Sequence, residues 1–111
     1  MAFQRACAVN EFREGEAVAV TLDGIDVAVA HAEGEYFALQ DLCSHAHVAL
    51  SEGEVEDCAI ECWMHGTTFD LRTGKPQTPP ATEPVATFPV ELHGDEIHVD
   101  VSTTLNGVTP S

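Results

Sequence analysis

The chain has 111 residues, enough for one domain that buries roughly two thirds of its unfolded surface in its own core. Its composition is that of a globular protein, with 44% hydrophobic and 6% aromatic residues. Four basic residues against nineteen acidic ones give a net charge of −15, a field that repels phosphate backbones and anionic lipid and so excludes nucleic acid and membrane surfaces as partners. A protein with a basic face is the natural complement. No cationic start followed by an apolar stretch opens the chain, and no hydrophobic run approaches the length of a membrane span. The expectation is a cytoplasmic, monomeric protein whose thiols stay reduced, so that clustered cysteines hold metal rather than form disulfides.

Phe3 to Val9 (FQRACAV) is a short apolar run read as a strand, with a helical turn expected about Asn10 to Arg13. Ala17 to His31 (AVAVTLDGIDVAVAH) holds two alternating valine-rich segments around Asp23–Gly24, the signal of a hairpin with a two-residue turn. Another strand, YFALQDL, follows Glu33–Gly34. Near the C-terminus, VATFPVELHGDEIHVDV is expected to form a second hairpin turning at Gly94–Asp95. There Ile97, Val99 and Val101 would line a buried face, and His98 and Asp100 a wet one. No segment carries a long apolar period of 3.6 residues, so the class is all-β. The expected plan is a single domain over residues 1–111. Its basal β part takes about 1–40 and 85–101, a loop-built subdomain about 41–84, and a frayed tail 102–111.

The subdomain carries the chemistry. Between Cys43 and Phe69 the sequence packs three of its four cysteines and three of its six histidines (CSHAHVALSEGEVEDCAIECWMHGTTF). Cys43 and His45 form a C-x-H pair, Cys62 and His65 a C-x-x-H pair, and sixteen residues separate the two. In extended backbone, positions i and i+2 point the same way, and a tight turn brings i and i+3 together. Each pair can thus present one sulfur and one nitrogen from a loop tip. The intervening segment, with Glu52–Gly53 and β-like pieces at Val55 and Ile60, is long enough for a hairpin that returns the second tip beside the first. Two such tips suit a structural zinc ion or an iron–sulfur cluster of mixed ligation. Zinc sites usually pair cysteine with cysteine and histidine with histidine, which this order does not.

C-x-H, sixteen residues, C-x-x-H-G and then FDLRTGKP resembles the Rieske family, specifically its small soluble ferredoxins, with the strong match from about Leu39 to Pro84. The resemblance implies a Rieske-like antiparallel β-sandwich or barrel with a loop-built cluster-binding subdomain. It also implies a 2Fe–2S cluster with Cys43 and Cys62 on the inner iron and His45 and His65 on the outer one. Two thiolates and two neutral imidazoles leave the oxidised cluster neutral, whereas four thiolates would make both states two units more negative. Histidine ligation therefore eases reduction, into roughly −150 to +300 mV. His47 is as well spaced as His45 to reach a metal, and only the family pattern chooses His45. Cys58 reads as a partly buried free thiol at a turn and Cys7 as a small core residue. Trp63 and Met64 are read as shielding the cluster, and Pro79 and Pro80 resemble the family's proline loop.

High-potential members of the family carry an extra cysteine in each ligand loop, joined as a disulfide. Here Ala46 to Ala49 and Trp63–Met64 stand in those places. Those members also follow His–Gly with a serine and a tyrosine whose hydroxyls donate to cluster sulfurs. This chain has Thr67, which keeps one hydroxyl, and Phe69, which lacks the other. Fewer donors stabilise the reduced state less, so a low-potential carrier is expected. The implied role is a single-electron shuttle, not an enzyme, between a flavin-dependent ferredoxin reductase and the terminal component of a ring-hydroxylating non-heme iron oxygenase. A ferredoxin serving iron–sulfur cluster assembly and a module like the small subunit of nitrite reductase are the alternatives.

Overall fold

The computed structural model describes residues 3–42, 49–63, 66–77 and 83–108. Among them run ten strands, all paired antiparallel: β1 (Gln4–Ala8), β2 (Ala17–Leu22), β3 (Ile25–Ala32), β4 (Glu35–Gln40), β5 (Val55–Glu56), β6 (Ala59–Glu61), β7 (Thr68–Asp70), β8 (Thr87–Phe88), β9 (Val90–His93) and β10 (Glu96–Val99). The described residues form no α-helix, only 3-10 turns at Val9–Glu11 and Leu50–Glu52. None of their helices is long and apolar enough to cross a membrane.

The strands make three sheets, ordered β1-β10-β9, β2-β3-β4-β8 and β5-β6-β7. Short turns set the first registers. Asp23–Gly24 and Glu33–Gly34 hold both central residues at positive φ, the type I′ form whose twist matches that of the flanking strands. Gly94, at φ 64, opens the two-residue turn between β9 and β10. The first sheet joins the two ends of the chain, since β1 pairs with β10 from Gln4↔Val99 to Ala8↔Glu96.

The four-stranded sheet is the middle layer and packs against a core on each face. Along β3, Val27 and Val29 enter one core with Cys7, Phe88, Ile97 and Val99, against the sheet of the chain ends. Ala28, Ala30 and Ala32 enter a second core with Leu50, Ile60, Cys62, Phe69 and Leu71, against the sheet β5-β6-β7. Alternation of period two thus sends valines one way and alanines the other. The small alanines leave room for the larger residues of β6 and β7. On β4, Ala38 and Leu39 divide between the two cores in the same manner.

Three local features differ from the sequence expectation. The C-terminal run is not one continuous hairpin arm but is divided at Pro89. Thr87 and Phe88 pair with Leu39 and Ala38 of β4, while Val90 to His93 pair with β10. Proline has no N–H to give a ladder and fixes φ, so it suits the point where the chain changes sheets. Asp100 is buried, not wet, and its Oδ1 accepts hydrogen bonds from the backbone N–H and hydroxyl of Ser102. Thr68–Asp70, read as part of a loop, is the third strand of the subdomain sheet. Beyond β10, the Asn106 side-chain amide donates to the carbonyls of Thr73 and Val85 at 2.8 Å each.

The β5–β6 turn places Asp57 at φ 53 and Cys58 at φ 58, a type I′ geometry without glycine. A side chain in the left-handed region costs roughly 1–2 kcal/mol. Cys58→Gly is therefore expected to be more stable than Cys58→Ala by about 1 kcal/mol, the reverse of their order in ordinary strands. Urea midpoints of the two variants at equal m-value measure the difference.

Candidate metal centre

Of the four ligand candidates, Cys62 lies among the described residues; Cys43, His45 and His65 lie outside them, as do His47, Met64, Pro79 and Pro80. Cys62 follows directly on β6 and is fully buried, in one core with Leu39, Leu50, Ile60, Phe69 and Leu71. The last ladder pair before it is Glu61↔Thr68. Beyond that pair, the Cys62 N–H donates to the Thr67 carbonyl at 2.6 Å, and the Gly66 N–H donates to the Cys62 carbonyl at 2.9 Å. These two bonds close a short loop whose stem is Cys62 and Thr67. Trp63 is 50% exposed, against 0% for Cys62 beside it.

The fit of a sulfide-bearing cluster is tested by Thr67. Its residue is 0% exposed, and its Oγ1 has no hydrogen-bond partner among the described residues. A buried hydroxyl left unpaired costs about 1–3 kcal/mol, so this donor calls for an acceptor beyond the described residues. A cluster sulfur at this loop would supply one, and the buried Cys62 beside it could supply a soft ligand. The residues fit the group. Phe69, likewise 0% exposed, packs in the core that contains Cys62.

The other described cysteines do not suit ligation. Cys7 sits in the opposite core, and burial with the nearby Glu11 pushes its thiol up to about 11. Burial also raises the Cys58 thiol, against the lowering effect of Arg72. Both thiols therefore stay protonated at neutral pH, and Cys7 lies on the other face of the middle sheet from Cys62. Among the described residues no three His, Cys, Asp or Glu side chains are arranged to hold a metal ion.

Arg72, a basic residue of the FDLRTGKP stretch, is engaged within the chain. Its Nη2 meets Glu35 Oε2 at 2.8 Å and Glu33 Oε1 at 3.4 Å, and its guanidinium lies 5.2 Å from the centre of the Phe37 ring. The hydrogen bond to Glu35 raises the Arg72 pKa further, and in return the Glu35 carboxyl is lowered. The guanidinium joins the β3–β4 turn to the segment after β7, which is the local pairing that so acidic a chain offers its few cations.

A family model described as the Rieske [2Fe-2S] domain matches residues 2–89 of this chain. The chain belongs to the Rieske family, in its ferredoxin branch. It is 42% identical over 103 residues to the biphenyl dioxygenase ferredoxin subunit of Pseudomonas sp. (strain KKS102), covering 92% of this chain and 94% of the relative. Among solved structures, the ferredoxin of carbazole 1,9a-dioxygenase from Nocardioides aromaticivorans IC177 superimposes with a TM-score of 0.84 at 33% identity, over 89% of this chain and 97% of that one. A ferredoxin in a complex of reduced oxygenase and oxidised ferredoxin, again of carbazole 1,9a-dioxygenase, gives 0.81 at 33% identity, over 87% of this chain and 91% of the other. The cofactor of this Rieske ferredoxin is a 2Fe–2S cluster, and its role is electron carriage rather than catalysis.

Two elements beside the ligand loops carried no signal in the sequence. Asp41 and Ser51, hydrogen-bonded to each other, sit ten residues apart with nothing in their spacing to single them out. Gly53 lies against the backbone of β6, and nothing local marks it as a point of close approach.

Proposed function

We propose that this chain is the ferredoxin of a Rieske-type ring-hydroxylating oxygenase system in the cytoplasm. In this reading it accepts one electron at a time from a flavin-dependent reductase and delivers it to the terminal oxygenase. The observation that carries the reading is the second ligand loop, where Cys62 and a Thr67 hydroxyl with no partner among the described residues are buried at its stem and Trp63 stands half in water beside them. Cys43 and Cys62 would hold the inner iron, and His45 and His65 the outer one. When bound, the cluster would supply the reversible one-electron couple. The chain supplies the rest. Buried Cys62 anchors one side in the core, and Trp63 offers an aromatic face to whichever protein docks there, as exposed tryptophans do at interfaces. The acidic surface favours partners with basic docking faces and speeds their encounter at low salt. The division into a basal part (about 1–40 and 85–101) and a cluster-binding part (about 41–84) follows the same reading.

The same charge opposes the addition of an electron, and Phe69 brings no hydroxyl, so the potential should be low for a Rieske centre. Thr67 is the exception, and Thr67→Val removes its hydroxyl at nearly constant shape. A hydrogen bond to a charged acceptor is worth about 1.5–3 kcal/mol, of which about a third to a half differs between redox states. With about 59 mV per 1.4 kcal/mol for one electron, the variant's potential is expected to fall by on the order of 40 mV in voltammetry at fixed pH. The reading as a whole is tested by anaerobic purification. Iron and acid-labile sulfide in equal amounts, a rhombic EPR signal on reduction, and reduction by a flavin-dependent ferredoxin reductase support it. Stoichiometric zinc without sulfide would sink it.

A further inference from the structure

Asp41 ends the run that begins as β4 and stands two residues before Cys43. It is only 6% exposed, and its backbone N–H donates to the Asp26 carbonyl at 2.8 Å, which continues the middle sheet. Its carboxylate grips Ser51 twice. Oδ1 accepts from the Ser51 N–H at 2.7 Å and Oδ2 from the Ser51 hydroxyl at 2.6 Å. Ser51 lies in the 3-10 turn Leu50–Glu52, which the fully buried Leu50 fixes in the core. The pair therefore closes the base of the segment that carries Cys43 and His45.

The same turn reaches the other ligand loop. Gly53 caps it and lies so close to β6 that a Cβ there would come within 1.6 Å of the Glu61 carbonyl oxygen. Alongside, the Glu61 N–H donates to the Glu54 carbonyl at 2.8 Å. Glu61 immediately precedes Cys62. A continuous line of short contacts thus runs from Asp41 through Ser51 and Gly53 to Glu61, with a candidate thiolate just beyond each end.

We infer that Asp41 and Ser51 are positioning residues, a brace that sets the separation between the two ligand loops; this rests on the ligand assignment proposed above. A 2Fe–2S core demands a fixed distance between its protein anchors. A brace built from charge-assisted hydrogen bonds holds that distance more stiffly than an irregular segment would alone. The Ser51 hydroxyl can be removed while its N–H bond to Asp41 and the packing of Leu50 remain, so the fold is kept and only the brace is loosened.

The test uses the purified holoprotein with Ser51→Ala and Ser51→Thr. Outer contacts that orient metal ligands typically contribute 10–100-fold in metal retention. Ser51→Ala is therefore expected to lose its visible absorption about tenfold faster in a ferrous chelator and to broaden or shift the g-values of the reduced cluster. Ser51→Thr, which keeps the hydroxyl, should restore both. Wild-type spectrum and half-life in Ser51→Ala overturn the inference, as does a threonine variant that behaves like alanine. If instead the wild type holds no iron and gives no rhombic signal, the ligand assignment itself has failed, and the brace falls with it.

Discussion

Cys62→Ala is expected to yield a colourless protein without iron, sulfide or EPR signal, and Cys43→Ala, His45→Ala and His65→Ala to abolish the signal or change it beyond recognition. Alanine at 62 removes the thiolate and leaves its place in a fully buried core. The two remaining described cysteines are Cys7, in the opposite core, and Cys58, at the β5–β6 turn. Cys7→Ala, Cys58→Ala and His47→Ala should all keep colour and signal. A variant that cannot bind the cluster also forfeits the stabilisation that binding confers by mass action, so the ligand variants should melt well below the controls. The histidine pair is the sharper discrimination, because His45 and His47 are spaced equally well to reach a metal. If His47→Ala loses the signal and His45→Ala retains it, the ligands are exchanged. If Cys62→Ala retains a Rieske spectrum, the proposed site is wrong.

The hairpins were legible because their information is local. Asp23–Gly24, Glu33–Gly34 and Gly94–Asp95 each state a turn in two residues, and the alternating runs beside them state which face is buried. The ligand candidates could be proposed for the same reason, their spacing being short and their residue types scarce, though only Cys62 lies among the described residues. What escaped depends on the far side of a contact. Asp100 alternates with valines as a solvent-facing residue would, yet it is buried, because Ser102 turns back to bond its carboxylate. Thr68–Asp70 contains too few residues to announce a strand, and it is one only because Ala59 to Glu61 lies opposite. The Asp41–Ser51 bond and the close approach at Gly53 are likewise tertiary. Each residue would look unremarkable on any polar loop, and its meaning comes from the partner that the fold brings up.

Gly53→Ala is therefore expected to be among the most damaging single-methyl additions in this chain, although the Glu52–Gly53 turn cue says nothing of a close approach. Its backbone, at φ −89 and ψ −179, is extended and open to any residue, so strain in the local dihedrals contributes nothing. The cost is entirely steric. An added Cβ would sit 1.6 Å from the Glu61 carbonyl oxygen and 2.8 Å from its carbon, and both belong to backbone that is hydrogen-bonded within the subdomain sheet. Relief requires the 3-10 turn and β6 to move apart, which opens the core around Leu50 and Ile60 and pulls Ser51 from Asp41. Overpacking of this kind costs about 1–3 kcal/mol and more when rigid backbone must give, so a loss of about 3 kcal/mol is expected. For a domain of this size that lowers Tm by roughly 10–20 °C. Gly94→Ala is the control: its Cβ would meet nothing within 4 Å, and its cost is confined to the positive φ of 64, about 1 kcal/mol. Calorimetry of the two holoproteins should place Gly53→Ala far below Gly94→Ala. Equal melting temperatures would show that the turn and β6 separate freely, and a seam that soft could not fix the spacing of two ligand loops.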